Sequence, residues 1–326
     1  MSLPIIAADQ LRQLVGFEDL IEPVSRAFQD FSLGLAASEL IVMFPAPKPE
    51  LGDVYVKTGN IQGHHSYIVK VSPWFAVNKE GGQSQGGFIA VFDAHTGHTS
   101  AILNEEHYLS DIRTAAAGAL AARVLTPQRV KTAVVVGTGV QAYWQPQALF
   151  HERPFEELVV WGRDPVKAQR LVERLRPRLE RVQIRTSDNL EEAVRQADVV
   201  MTTTPAKEPL IKGEWLHPGQ HITAVGADDS TKCELDAECF HRADYIAVDS
   251  LESAKEHGDV HRHIARGAIE PDCVDGEIGE ILAGRINGRT SQEQITIAKF
   301  IGLGGQDLAA AEVVLERLEL SNRSPS

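Results

Sequence analysis

Three groups of residues in this chain have types and spacings that could do chemistry. The first lies in residues 131–150, KTAVVVGTGVQAYWQPQALF. Residues 132–136 are apolar and mostly β-branched, which reads as a buried strand. Gly137-Thr138-Gly139 follows at once, and from Val140 and Gln141 the pattern becomes helical. Strand, Gly-x-Gly and helix together bring backbone N–H groups to a dinucleotide pyrophosphate. The first Gly permits the tight turn and the second lets phosphate approach the backbone. Ala142, at the third position, is small enough for helix–strand packing. Gly-x-Gly alone is also an ordinary turn; its setting between strand and helix favours nucleotide binding.

The second group is Val225-Gly226-Ala-Asp228-Asp229-Ser-Thr-Lys232. Two acids directly after a strand, with a lysine four residues on, could supply a proton donor and a phosphate contact. Taken alone, a solvated loop with a helix N-cap is the simpler reading. The third group is cationic. Lys57 and Lys70 each lie among apolar neighbours in strand-like segments, 53–58 and 66–72. Edge lysines discourage strand aggregation, but a lysine inside Ile68-Val69-Lys70-Val71 is costly to bury unless it meets an anion. Arg113, in Asp111-Ile-Arg113-Thr-Ala-Ala-Ala, falls in the predicted first turn of a helix, where its charge opposes the helix dipole. That placement points to an anion nearby, or to a surface pair with Asp111 or Glu106.

These groups need elements to place them. A helix is predicted over 18–33, with Asp9 capping a shorter one before it. Strands are predicted over 40–44, 53–58, 66–72, 88–92 and 100–103, so this region is helix plus an antiparallel sheet. Ser84 falls in a Gly-rich loop there. From residue 131, strands over 132–136, 158–161, 182–185, 199–203, 221–225 and 245–248 alternate with helices, a parallel α/β pattern. Ligands gather at the C-terminal ends of such strands, here Gly137, Gly162, Thr204 and Gly226. The end of the second strand selects the ribose: an acid suits NAD, an Arg suits the 2′-phosphate of NADP. Trp161-Gly162-Arg163-Asp164 offers both, and Asp164 also fits a helix cap before Pro165.

Composition narrows the class. The chain has 326 residues, 43% hydrophobic and 24% charged, which is globular. A net charge of −13 argues against nucleic acid or an anionic membrane as partner. Cys233, Cys239 and Cys273 show no CxxC spacing and fit free thiols in a reducing compartment. No apolar stretch approaches membrane-spanning length and no basic-then-apolar leader opens the chain, so a cytoplasmic protein is expected. His257, His261 and His263 lack the carboxylate company of a metal site, and no metal is expected.

Taken together, the motifs resemble the ornithine cyclodeaminase/μ-crystallin family across almost the whole chain. The segments that carry the likeness are Asp111-Ile-Arg113-Thr-Ala-Ala-Ala, Gly137-Thr-Gly-Val-Gln-Ala142, the run from Ala197 to Ala206, the run from Pro218 to Leu235, and Gly302 through Gln306-Asp307. GDVYVKT, KVSPWFAVN and RTAAAGALAA are most similar to the branch named for ectoine catabolism, which lies close to iminosuccinate reductases. The resemblance implies an α/β Rossmann NAD(P)-binding domain, 119–302, inserted in a discontinuous α+β substrate-binding and dimerisation domain, 1–118 plus 303–326. It implies a homodimer joined through the first domain's sheet. It matches Lys70 to the catalytic-site lysine and Asp228 to the acid/base residue. Ser84, Arg113, Gly139, Val140, Gln141, Thr204 and Lys232 match cofactor-contacting positions, to which Gly137, Thr138, Arg163, Asp164 and Gly226 are added from the strand-end argument.

There are departures. No arginine stands between Arg26 and Arg113, where the family usually grips the substrate carboxylate, and Lys57 is the best stand-in. Phe300-Ile301 replace a common Ser or Thr, and Lys299 stands where an acid is common in this branch. These changes argue against ornithine cyclisation. The expected activity is NAD(H)- or NADP(H)-dependent reduction of an α-imino acid to an L-amino acid. Iminosuccinate, slightly preferred, or a cyclic ketimine such as pyrroline-2-carboxylate would be the substrate. Lys70, helped by Lys57, would hold the carboxylate; Asp228 would protonate nitrogen; Lys57 and Lys299 are the cations available to the second carboxylate of a dicarboxylate. The alternatives are a cyclodeaminase-type lyase with recycled NAD and a non-enzymatic, crystallin-like NAD(P)-binding protein.

Overall fold

Apolar and polar residues alternate through the first hundred positions, and strands result. β1 (Ile5–Ala7), β2 (Ala36–Ala37), β3 (Leu40–Met43), β4 (Gly52–Ile61), β5 (Ser66–Phe75), β6 (Phe88–Asp93) and β7 (Thr99–Asn104) form one sheet. Its order is β1-β7-β6-β5-β4-β2, with β3 also paired to β4. The computed structural model describes residues 3–48, 51–80 and 85–323. Ser84 therefore lies outside the described residues, as do its neighbours Gly81 and Gly82. The sheet is antiparallel except that β1 runs parallel to β7. Helices Ile21–Ser32 and Gly304–Arg323 pack on each other and against β4. Gly59 and Gly304 allow that approach, because a Cβ on Gly304 would strike the Thr58 carbonyl.

Two expectations for this region change. Asp9 does not cap its helix, Ala8–Leu14: the N-cap is Ala7, and Asp9 sits in the first turn paired with Arg12. The helix expected to open at Asp111 spans Tyr108–Leu125. Glu106 and His107 turn the chain into it at φ 49° and 67°, a conformation that non-glycine residues adopt at a cost. Arg113 is thus one turn deeper than expected, where the dipole argument is weaker.

By contacts the chain forms two compact units, Met1–Ala116 with Leu303–Ser326, and Ala117–Gly302. In the second, β8 (Thr132–Val136), β9 (Glu157–Trp161), β10 (Gln183–Ser187), β11 (Val199–Thr202), β12 (His221–Ala224), β13 (Tyr245–Val248), β14 (Gly276–Glu277) and β15 (Thr296–Lys299) run parallel. The order is β10-β9-β8-β11-β12-β15-β13-β14. Every residue of β8, β11, β12 and β15 is buried, as expected for strands covered on both faces. β15 was not expected, yet it fills the gap between β12 and β13. The chain winds outward in opposite directions from β8, through β9 and through β11. The topological switch point, where such sheets bind ligands, is therefore at the Gly137 end of β8.

Candidate active site

At that switch point Gly137 has φ 126°, and a Cβ there would strike the Thr203 hydroxyl. Its N–H donates to the Trp161 carbonyl at 2.9 Å, which joins the ends of β8 and β9. Gly139 is the N-cap of helix Val140–Glu152 and brings no side-chain cap. Nothing lies within 4 Å of where its Cβ would be. A helix N-terminus opened in this way favours an anion. Thr138 packs its methyl over Gly162, where no side chain would fit. This is the cradle that a dinucleotide pyrophosphate needs.

Beside it, Arg163 is exposed, and no ion pair or hydrogen bond holds its guanidinium among the described residues. It lines a cleft of 520 Å³ with Trp161, Gly162, Arg185, Ser187 and Asp188. Asp164, in contrast, caps helix Pro165–Leu175, accepting from the N–H of Val166 at 3.0 Å and of Lys167 at 3.3 Å. The expected choice between the two residues thereby narrows, with the acid spent on its helix. Arg163→Ala is expected to weaken NADPH by about tenfold or more, the worth of one charge-assisted bond, and NADH much less. Dissociation constants for both nucleotides check this; equal losses would show that Arg163 reads no 2′-phosphate.

The strand ends of β11 and β12 meet on a residue that the sequence did not single out. Glu234 has no exposed surface. It accepts from Thr202 Oγ1 at 2.9 Å, Thr204 N at 2.5 Å, Thr204 Oγ1 at 2.9 Å and Gly226 N at 2.9 Å. Burial pushes its carboxyl up to about 7 and Asp259 adds to the rise, while Lys299 and the Thr204 and Thr202 donors favour the ionised form. Thr204, expected as a cofactor contact, therefore has its N–H and its hydroxyl proton committed to Glu234. Gly226 is likewise closed in, with Thr204 against its Cα.

The two acids that the sequence left unresolved separate cleanly. Asp229 is buried and accepts from Thr231 N at 2.6 Å, Thr231 Oγ1 at 2.8 Å and Lys232 N at 3.1 Å. Burial works against its ionisation, but Lys232 and these donors prevail and bring its pKa to about 2. Asp228 keeps 40% of its side chain exposed. Lys232 Nζ stands 2.5 Å from Asp228 Oδ1 and 3.1 Å from Asp229 Oδ2. The lysine expected to meet a phosphate is instead shared by two carboxylates. Lys299, the expected spare cation, is fully buried; it donates to the Ala227 carbonyl at 2.5 Å and lies 3.4 Å from Asp259. It is not available to a substrate. His261 and His263 bond the carbonyls of Lys255 and Leu235. Among the described residues no His, Cys, Asp or Glu group is arranged to hold a metal ion.

The first unit has its own buried polar cluster. Lys57 and Lys70 face each other across β4 and β5 and are 4% and 2% exposed, so neither is a solvated edge lysine. Lys70 Nζ donates to Asp307 Oδ1 at 2.8 Å and to Ser110 Oγ at 3.1 Å. Ser110 in turn donates through Oγ and N to Glu105 at 2.8 and 2.7 Å. Arg113 Nε donates to the same Asp307 oxygen at 3.0 Å. Arg113 was expected at the cofactor; the anion beside it here is Asp307. Asp307, Glu105 and Ser110 were missed as site residues. The available signal was an acid directly before the apolar run Leu308-Ala-Ala-Ala.

Burial would raise the Asp307 carboxyl, but Arg113, Lys70 and Lys57 together hold its pKa at about 2. Burial drives His107, bonded to the Pro73 carbonyl at 2.9 Å, toward its neutral form. Three cations, Lys57, Lys70 and Arg113, and two carboxylates, Asp307 and Glu105, thus share one buried cluster.

Asp229 and Asp307 also set acid stability. Both folded pKa values, about 2, lie below the ordinary 3.8. Their contribution is complete above about pH 4 and is lost as pH falls through about 2, on the order of 2 kcal/mol for Asp307. Urea midpoints should fall over this window, and less steeply in Asp307→Asn. Parallel curves would mean that Asp307 ionises alike in both states.

Sequence and fold comparisons agree with this fold. The sequence profile of the ornithine cyclodeaminase/mu-crystallin family matches residues 5–322. An uncharacterized cyclodeaminase of Sinorhizobium fredii is 39% identical, over 98% of this chain and 96% of its own. Thermococcus litoralis Δ1-pyrroline-2-carboxylate reductase, solved with NADH and L-proline, superposes with a TM-score of 0.91 at 27% identity, covering 98% of both chains. An archaeal alanine dehydrogenase dimer with bound NAD gives 0.90 at 30% identity, covering 100% of this chain and 98% of that one. The iminosuccinate reductase of Paracoccus denitrificans with NAD⁺ gives 0.88 at 27%, covering 98% and 97%.

Proposed function

Because the chain belongs to the ornithine cyclodeaminase/mu-crystallin family, we propose that it is an NAD(P)H-dependent reductase of an α-imino acid, yielding an L-amino acid. One observation carries the reading: Lys57, Lys70 and Arg113 are buried together around Asp307, in a chain whose net charge is −13. Buried ions are expensive unless balanced. Cations gathered at that cost suit the carboxylate of a small acid.

The chain's own residues divide the work. Gly137, Thr138 and Gly139, with the N-terminus of helix Val140–Glu152, would hold the pyrophosphate, and Arg163 would meet the adenosine ribose. When bound, the dinucleotide supplies hydride to the C=N carbon. Lys70, with Lys57 beside it, holds the substrate carboxylate by charge-assisted hydrogen bonds. Arg113 and Asp307 fix the direction of the Lys70 ammonium. Asp228 passes the proton to nitrogen, because a protonated imine accepts hydride more readily than a neutral one. Lys299, enclosed against Ala227 and Asp259, is not a partner for a second carboxylate. Pyrroline-2-carboxylate therefore ranks ahead of iminosuccinate.

The purified protein should oxidise NADH or NADPH stoichiometrically with pyrroline-2-carboxylate, or with pyruvate plus methylamine. Ammonia release from ornithine without net nucleotide change would instead mean a cyclodeaminase. Nucleotide binding with no turnover on any imine would mean a non-enzymatic role.

The first unit's sheet supports a homodimer. Ile41, Val56, Val71 and Phe88 form one apolar row across β3, β4, β5 and β6, on the face opposite the lysines. Ile41 is 58% exposed, Met43 beside it 44% and Phe88 37%. Such a face is seldom left to water. Sedimentation should give a dimer, and Ile41→Asp with Met43→Asp should give monomers. A cytoplasmic location suits the free thiols Cys233, Cys239 and Cys273. No helix among the described residues is long and apolar enough to cross a membrane.

A further inference from the structure

Residues 226–234 form a loop that leaves β12 and carries Asp228. Its backbone is held at three points around that residue. Gly226 N–H donates to Glu234 at 2.9 Å, so the loop's last side chain closes on its first residue. The Ala227 carbonyl accepts from Lys299 Nζ at 2.5 Å. The Asp229 carbonyl accepts from the N–H of Gly258 at 2.8 Å.

Glu234 and Lys299 belong to one buried assembly. The N–H of Glu234 and of Leu235 donate to Asp259 Oδ1 at 2.6 and 2.8 Å, and Asp259 Oδ2 lies 3.4 Å from Lys299 Nζ. Glu234, Asp259 and Lys299 have no exposed surface. Two of the four donors to Glu234 are backbone N–H groups, which cannot turn away. Only a side chain with two acceptor oxygens satisfies all four. A hydrophobic residue would fill the volume without the desolvation cost of the charges. The assembly instead fixes the backbone leading into Asp228, and Gly258, next to Asp259, fixes it just after, while the Asp228 side chain stays partly open.

From this we infer that Glu234 is the positioning residue for Asp228: it closes the loop so that the Asp228 carboxyl is held in line for proton transfer. Proton transfer needs hydrogen-bond reach, and small misplacements are costly in rate. The inference rests on the reading of Asp228 as the proton-transfer group, and the test separates the two.

The test is steady-state kinetics on the full-length enzyme, with pyrroline-2-carboxylate as the imino acid. Glu234→Gln removes one acceptor oxygen and turns an NH₂ toward N–H donors. It should lower kcat by ten- to a hundredfold, with the KM for the imino acid within about threefold. In the Asp228→Asn background the same change should cost less than threefold more, because residues acting through one another are non-additive. Full additivity, with the double variant slower than Asp228→Asn by the whole factor that Glu234→Gln costs alone, overturns the inference. So does an unchanged kcat in Glu234→Gln. If Asp228→Asn itself turns over normally, the reading of Asp228 fails instead. Should Glu234→Gln not fold, Thr202→Val removes one of the four donors and keeps the side-chain shape. It should lower kcat several-fold in the wild type and not in Asp228→Asn, and equal losses in both backgrounds overturn the inference.

Discussion

Asp228→Asn is expected to lower kcat on an imino acid by about 10²- to 10⁴-fold, the usual worth of a positioned acid or base. Dissociation constants for the dinucleotide should stay within about twofold of wild type. The argument is local. Asn has the shape of Asp and can still accept from Lys232, whose ammonium lies 2.5 Å from Asp228 Oδ1. The loop should therefore keep its form, since its other ties run through Asp229, Glu234 and Lys299. What disappears is the ability to pass a proton on. Lys232 is the nearest proton source to Asp228, so the pair can relay one to the substrate nitrogen, and an amide cannot. Stopped-flow nucleotide oxidation and equilibrium fluorescence separate the two effects. Turnover within threefold of wild type would remove Asp228 from the chemistry.

What the sequence made legible follows from how local each interaction is. The Gly137 loop could be read because its strand, turn and helix are contiguous, and the capping of helix Pro165–Leu175 by Asp164 is a three-residue event. The parallel sheet was legible for the same reason, strand by strand. β15 escaped because it ends in Lys299, a charge that a buried Asp259 makes tolerable. That same partnership is why Lys299 was misjudged as available. Lys70 could be marked as costly to bury, but its counter-ion is 237 positions away. Glu234 had no local sign at all, because its four donors come from two strand ends and their exits. Arg113 was placed a turn too early because nothing in Glu106-His107 announces a left-handed backbone. Buried charge networks are set by which elements meet in space, and a linear pattern does not record that.

The charge cluster of the first unit gives the second large effect. Asp307→Asn should cost about 3–5 kcal/mol of stability, because Lys70 and Arg113 would lose the buried carboxylate they share. Lys70→Met should cost less, since Asp307 keeps Arg113, but kcat/KM should fall by about 10²-fold or more if the ammonium holds the substrate carboxylate. The double variant decides what Lys70 is for. Removing both partners of a buried pair is often far milder than removing one. Lys70→Met with Asp307→Asn should therefore recover part of the stability lost in Asp307→Asn. It should recover none of the activity, because the carboxylate anchor is still missing. If turnover returned together with stability, Lys70 would be no more than the counter-ion of Asp307, and the positive charge that binds substrate would have to come from Lys57 or Arg113. Urea midpoints and kcat/KM on the same four proteins give the answer, and the apolar packing of Leu308 and its neighbours is untouched in all of them.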